Sequence, residues 1–100
     1  SCAPAQFSQN ELENLGKAAR NEKQYDRAVV FYSQLQKQYP DNPNGWLGGA
    51  LASTETKNYN AAKNALNVYK KRFGQDNAYL DAESYLLNPI WLNLAVGNVS

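Results

Sequence analysis

The feature that most constrains this chain is a repeat: the apolar, small and helix-ending residues between Leu12 and Pro40 return, with substitutions, 34 positions later. Tyr25 returns as Tyr59, Ala28 as Ala62, Leu12 as the bulkier Trp46, Tyr39 as Phe73 and Pro40 as Gly74. A constant period of this length describes copies of one supersecondary unit. No copy can bury its apolar face alone, so the core has to form between neighbours.

Within each copy the apolar positions fall three and four apart, which is helical spacing. Ser8-Gln9-Asn10-Glu11 has the form of a capping box, with Phe7 and Leu12 at the positions of a hydrophobic staple. Leu12, Leu15, Ala18 and Ala19 form one stripe, predicting a first helix over about Gln9 to Asn21. A polar turn through Gln24 precedes a second helix carrying Tyr25, Ala28, Val29, Tyr32, Leu35 and Tyr39. Pro40-Asp41-Asn42-Pro43 ends that helix and starts the next, since Asn42 is a good N-cap and Pro43 suits the first helical position. The third helix, to about Thr56, carries Trp46, Leu47, Ala50 and Leu51. Gly48 and Gly49 in its middle cost roughly 1 kcal/mol each relative to Ala, a cost explained by close packing of a neighbouring helix or close approach of a bound backbone. Tyr59, Ala62, Ala65, Leu66, Tyr69 and Phe73 line a fourth helix ending at Gly74.

Asp76 can cap a fifth helix over about Asn77 to Leu87. Asn88-Pro89 repeats the cap-plus-proline start signal, so the chain is expected to finish with a helix pair rather than one helix. The last segment holds Ile90, Trp91, Leu92, Leu94 and Val96 and is too apolar for a free tail. It can cover the end of the stack, meet further chain or form an interface.

Ten Lys plus Arg against nine Asp plus Glu give a net charge of +1, which creates no field for nucleic acid or an anionic membrane surface. The basic run Lys70-Lys71-Arg72 sits where cations complement a helix C-terminus. Histidine is absent and Cys2 is the only cysteine, which excludes the usual zinc sites, histidine-dependent triads and an intrachain disulfide. Acid pairs such as Asp81 with Glu83, or Glu11 with Glu13, are two apart on a helix and point in different directions. Neither an enzyme nor a metal or cofactor site is expected.

The pattern resembles the tetratricopeptide repeat, whose signature is W-x2-L-G-x2-Y, then A-x3-F, then P. The first unit has Leu12-x2-Leu15-Gly16-x2-Ala19, then Ala28-x3-Tyr32, then Pro40. The second has Trp46-x2-Gly49-Ala50-x2-Ser53, then Ala62-x3-Leu66, then Gly74, with Gly49 and Ser53 departing from the signature. The resemblance implies an all-α fold, a right-handed superhelical stack of antiparallel helix hairpins, here about two full repeats plus a C-terminal helix pair. The expected organisation is an extended leader over 1–7 and a single domain over 8–100, with repeats at about 9–42 and 43–76 and a degenerate one at 77–100.

Members of such a family bind segments of other proteins in a groove lined by the first helix of each hairpin. The implied groove residues are Asn10, Glu13, Asn14, Lys17 and Arg20 from the first unit. The second supplies Asn44, Leu47, Gly48, Leu51 and Thr54, and the third Asp81 and Tyr85. A subfamily that grips chaperone tails by their terminal carboxylate uses a set of Lys, Asn and Arg. At its places this chain has Glu13, Lys17, Gly48, Ala78 and Ala82, so that clamp is missing.

Ser1-Cys2-Ala3 resembles the cleavage junction of bacterial lipoproteins, which would make Cys2 a lipidated anchor and place the domain at the periplasmic side of the outer membrane. An ordinary exposed thiol on a cytoplasmic protein is the other reading. The expected function is a scaffold for a partner protein, in the anchored version one serving assembly or secretion machinery. The alternative is a piece of a longer solenoid, or a module that self-associates through Ile90, Trp91, Leu92 and Leu94.

Overall fold

Five helices follow one another in the computed structural model, which describes residues 7–99 and their side chains through Asn88. They are α1 (Gln9–Asn21), α2 (Tyr25–Gln38), α3 (Pro43–Glu55), α4 (Tyr59–Phe73) and α5 (Asn77–Val99), and the described residues contain no strand. Cys2 lies outside the described residues, and so do the side chains of Ile90, Trp91, Leu92 and Leu94.

Local signals set the starts of four helices, while α2 begins after Gln24 with no side-chain cap. The Ser8 hydroxyl accepts the Glu11 amide at 3.1 Å and the Glu11 carboxylate accepts the Ser8 amide at 2.8 Å, closing the capping box. The Phe7 side chain, at the staple position, is 36% exposed, whereas Leu12 is fully buried. The Phe7 carbonyl accepts the Tyr39 hydroxyl at 3.0 Å, so the end of α2 holds the entry to α1. Asn42 caps α3 through the Asn44 amide at 2.9 Å with Pro43 at the first turn, and Asn58 caps α4 through the Ala61 amide at 3.3 Å. Asp76 caps α5 through the Tyr79 amide at 2.9 Å.

The two hairpin turns are copies of each other. After α1, the amides of Glu22, Lys23 and Gln24 donate to the carbonyls of Ala18, Arg20 and Ala19. After α3, those of Thr56, Lys57 and Asn58 donate to Ala52, Thr54 and Ser53. Lys23 and Lys57 are both left-handed, with φ of 60° and 66°. The crossed bonds with one left-handed residue reverse the chain and satisfy carbonyls that the helix end would leave unpaired.

Successive helices pack on one another, and α3 also touches α1 and α5, the contact pattern of stacked hairpins. Two buried clusters meet at α3. Leu12, Ala19, Ala28, Tyr32, Leu35 and Ala52 form the first, while Ala50, Ala62, Ala65, Leu66, Tyr69, Tyr79, Ala82 and Leu86 form the second. Leu12 and Leu35 are fully enclosed, each contributing about 1.5–3 kcal/mol by leaving water. At the seam, the Trp46 indole N–H donates to the Pro40 carbonyl at 2.9 Å and the Arg72 guanidinium lies 5.9 Å from the Trp46 ring. The end of α4 is thereby tied to the linker before α3.

One boundary differs from expectation. The chain does not finish with a helix pair: α5 runs without interruption from Asn77 to Val99 through Pro89. The proline ring holds φ near the helical value, so Pro89 can continue a helix at the cost of one hydrogen bond, here the one Tyr85 would otherwise accept.

Candidate functional site

Side chains of α1 and α3 form the walls of a cleft of about 190 Å³, lined by Glu13, Asn14, Lys17, Arg20, Asn44, Leu47, Gly48, Leu51 and, from α2, Tyr32. Eight of the twelve groove residues expected from sequence are therefore brought together. The volume suits one or two side chains of a partner, being smaller than the ≈ 300–1,000 Å³ of typical small-molecule pockets.

The other four lie elsewhere. Asn10 borders a neighbouring depression with Ser8, Gln9, Glu13 and Tyr39. Asp81 and Tyr85 are exposed on α5, one turn apart, and do not line the cleft. Thr54 is a correction: it is 5% exposed and its hydroxyl donates to the Ala50 carbonyl at 2.8 Å, so it is a packed, internally bonded residue and not a groove contact.

Polar contacts divide the cleft residues into two kinds. Glu13 accepts from the Asn42 side-chain amide at 2.9 Å and from that of Asn44 at 2.7 Å, one on each carboxylate oxygen. Asn42 also donates to the Gln9 side chain at 2.9 Å. These bonds stitch α1 to the start of α3 and occupy Glu13 and Asn44. Lys17 follows Glu13 by four residues, the spacing of a helical ion pair, yet neither it nor Arg20 is ion-paired among the described residues. Leu47 and Leu51 are half-buried and supply the apolar side.

Tyr32 is the cleft residue that sequence reasoning missed, assigned there to the interior of α2. The residue is 4% exposed and its ring is wedged between two glycines. A Cβ on Gly16 would come within 2.7 Å of the ring, and one on Gly48 would overlap it still more. Close packing by α2, rather than a bound backbone, is thus the reason for the α3 glycines, since Gly45 and Gly49 likewise face Leu35 and Gln36. No fully buried polar side-chain atom lacks a partner among the described residues, and the Tyr32 hydroxyl has none, so its oxygen opens onto the cleft. The available signal was the pair Gly16 and Gly48, equally spaced on either side of Tyr32 in the chain.

A second cleft, of about 280 Å³, lies on the opposite side of α3 between α2 and α4, lined by residues such as Ser33, Trp46, Asn64 and Val68. It is larger but contains no ionisable side chain. The shifted titratable groups are also remote from the first cleft, at the α4–α5 junction. There burial, and then the Asp76 carboxylate accepting its hydroxyl at 2.8 Å, push Tyr69 up to about 12. The Tyr79 amide and the Tyr69 hydroxyl hold Asp76 below its ordinary value. Burial, then Glu83, raises Tyr79. Among the described residues no three His, Cys, Asp or Glu side chains gather as a metal site, and no helix is long and apolar enough to cross a membrane.

No curated protein and no solved structure matches the chain. A family model described as Tetratricopeptide repeat matches residues 19–84. With stacked hairpins, a repeated turn geometry and a family match over more than half its length, the chain belongs to the tetratricopeptide-repeat family.

Proposed function

We propose that this chain is a protein-interaction scaffold that holds a segment of a partner protein in the cleft between α1 and α3. Repeats of this family generally mediate protein–protein interaction and form a non-catalytic scaffold. The observation that carries the choice of face is the juxtaposition of free cations, Lys17 and Arg20, with the half-buried Leu47 and Leu51 in one concavity. Apolar side chains supply affinity when covered, and charges at their edge supply register and selectivity.

Photo-crosslinkers placed at Leu51 and, on the opposite side, at Asn64 test this. A partner should be captured from Leu51 and not from Asn64, and Leu51→Asp should abolish its binding while the helical circular dichroism is retained. Capture from Asn64 alone would overturn the reading.

The finer version is an envelope lipoprotein of a bacterium, anchored through Cys2 and serving assembly or secretion machinery. The Ser1-Cys2-Ala3 junction supports it. Mass spectrometry of the protein purified from its own cells should show an acylated Cys2; an unmodified thiol there would remove the anchor and leave the scaffold. The alternative of self-association through α5 is supported by the exposure of Leu80, Tyr85 and Leu87 along that helix. A monomer in sedimentation at high concentration would exclude it.

A further inference from the structure

We propose that a helix from a second protein, with a bulky side chain at its centre and Lys or Arg at its edges, docks against α5 and completes there the hairpin that this chain leaves half built. This extends the scaffold reading to a second surface, which shares no residue with the α1–α3 cleft.

The repeat supplies the frame. Leu12, Gly16 and Ala19 of α1 are answered one period on by Trp46, Ala50 and Ser53 of α3, and two periods on by Leu80, Ser84 and Leu87 of α5. The α1 set is buried against α2, and Ala50 is buried in one cluster with Ala62 and Leu66 of α4. On α5 the same places stand open: Leu80 is 44% and Leu87 38% exposed, and Ser84 is exposed between them. Residues 90–92, which correspond to the turns after α1 and α3, are helical, so α5 runs on to Val99 where a second helix would have folded back over it.

The cleft beside α5 points to a helix as the covering element. The 280 Å³ cleft described above has walls from α2, α3 and α4. Its counterpart one period on, of about 230 Å³, has Lys63, Asn67, Glu83 and Leu87 where the first has Val29, Ser33, Gly49 and Ser53. Its walls come from α4 and α5 only, and the wall that α4 supplies to the first cleft has no equivalent among the described residues.

Volume and charge define the occupant. Gly16 faces the large Tyr32 and Ala50 shares its cluster with Leu66, so the small Ser84 calls for a bulky side chain opposite it. At about 3.6 residues per turn, Asp81 and Glu83 fall on the two flanks of the Leu80, Ser84 and Leu87 stripe, and α5 contains no Lys or Arg. A second copy of α5 would set one acidic helix on another. A helix with basic edges complements both flanks and gains orientation from them.

The probe is a helix-stapled peptide of the chain's own α4, Tyr59–Phe73, which has Leu66 at its centre, four Lys or Arg and no acid. It should bind the full chain in fluorescence anisotropy, and a photo-crosslinker at Leu87 should capture it while one at Leu51 does not. Leu80→Asp alters an exposed position and should leave the melting temperature unchanged. It should weaken binding at least about tenfold, the scale of one leucine withdrawn from apolar contact. Ser84→Leu fills the space due to the incoming side chain and should weaken binding as much, whereas Ser84→Ala should not. Asp81→Lys should weaken it at low salt and have little effect at high salt.

Absence of binding, or binding that Leu80→Asp and Ser84→Leu leave unchanged, would overturn the inference. So would a dimer of the chain in sedimentation that Leu80→Asp dissociates, since a second copy would then be the occupant. Capture from Leu51 alone would overturn it as well and leave the α1–α3 cleft as the docking surface. Failure of the cleft reading in its own crosslinking test would leave Leu87 capture and the Leu80→Asp effect in place.

Discussion

The two complete hairpins share one backbone and fill it differently. Their turns repeat hydrogen bond for hydrogen bond, yet Leu12, Gly16, Tyr32, Leu35 and Gly48 are answered 34 positions on by Trp46, Ala50, Leu66, Tyr69 and Ala82. In the first set a large ring is matched by two glycines; in the second a smaller leucine shares its buried cluster with two alanines. The packed volume is traded across the interface. Only the first arrangement brings a polar atom to the cleft, because leucine has none to offer. The leucines show the reverse trade: Leu12 and Leu35 are wholly enclosed, whereas Trp46 and Tyr69 have polar ends tethered to the Pro40 carbonyl and to Asp76. Conserving a fold across a repeat therefore requires conserving summed volume and satisfied polar ends at each layer, while the residues themselves can change.

The largest expected effect comes from the enclosed leucine. Leu35→Ala should cost about 2–5 kcal/mol in urea unfolding, because the cavity it leaves is walled by helices on both sides. The loss should be the same at neutral and high pH, since Leu35 has no titrating end. Next comes the volume trade. Gly48→Ala would gain about 1 kcal/mol of helix propensity at an ordinary position, but the new methyl collides with the Tyr32 ring, and overpacking of a tight core typically costs about 1–3 kcal/mol. A lowered melting temperature is the expected sign. Combining Gly16→Ala and Gly48→Ala with Tyr32→Leu copies the second packing layer into the first and should recover stability to within about 1.5 kcal/mol of the parent, as volume-conserving swaps do. If the triple variant is no better than Gly48→Ala alone, the layers are not equivalent and the comparison breaks.

The starts of α1, α3 and α5 were legible because each is encoded locally: Ser8 with Glu11, Asn42 with Pro43, and Asp76 all act within three residues of themselves. The pairing of hairpins was legible because small residues recur at the period. What escaped lay beyond these local signals. Pro89 gives the same local start signal as Pro43, but α5 continues through it. Thr54 sits on the groove stripe by count, yet its hydroxyl turns back to Ala50 and the residue is buried. Tyr32 falls on the interior stripe of α2, and its hydroxyl reaches the cleft only because residues far from it in the chain are glycines.

A pH titration sharpens the contrast between Leu35 and Tyr69. Tyr69 is raised from 10.0 to about 12 in the folded chain, so its contribution is whole below pH 10 and is lost as pH rises through about 12. Asp76 is lowered from 3.8, so its contribution is present above that value and is lost as pH falls below it. Tyr69→Phe removes the alkaline part and reduces the acidic one. The stability difference between parent and Tyr69→Phe, followed by urea unfolding, should be flat near neutrality and shrink on going above pH 10. A difference that is constant through pH 11 would show that the hydroxyl is not held by Asp76.

The smallest effects lie in the turns. Lys23 and Lys57 occupy the left-handed region, where a side chain crowds the following carbonyl and costs about 1–2 kcal/mol that glycine avoids. Glycine also loses more freedom on folding, so the net gain from Lys23→Gly or Lys57→Gly is expected to be about 0.5–1 kcal/mol each. The two turns share no residues, so the gains should add in the double variant. Gly74 supplies the opposite test: with φ of 89° and ψ of −177° it lies in a region essentially reserved for glycine, and a Cβ there would meet nothing within 4 Å. Gly74→Ala should thus destabilise through backbone strain alone, by about 1 kcal/mol after the entropy gained in the unfolded state. If Lys23→Gly stabilises and Lys57→Gly does not, the matching hydrogen bonds of the two turns conceal different strain, and the hairpins are alike in connectivity only.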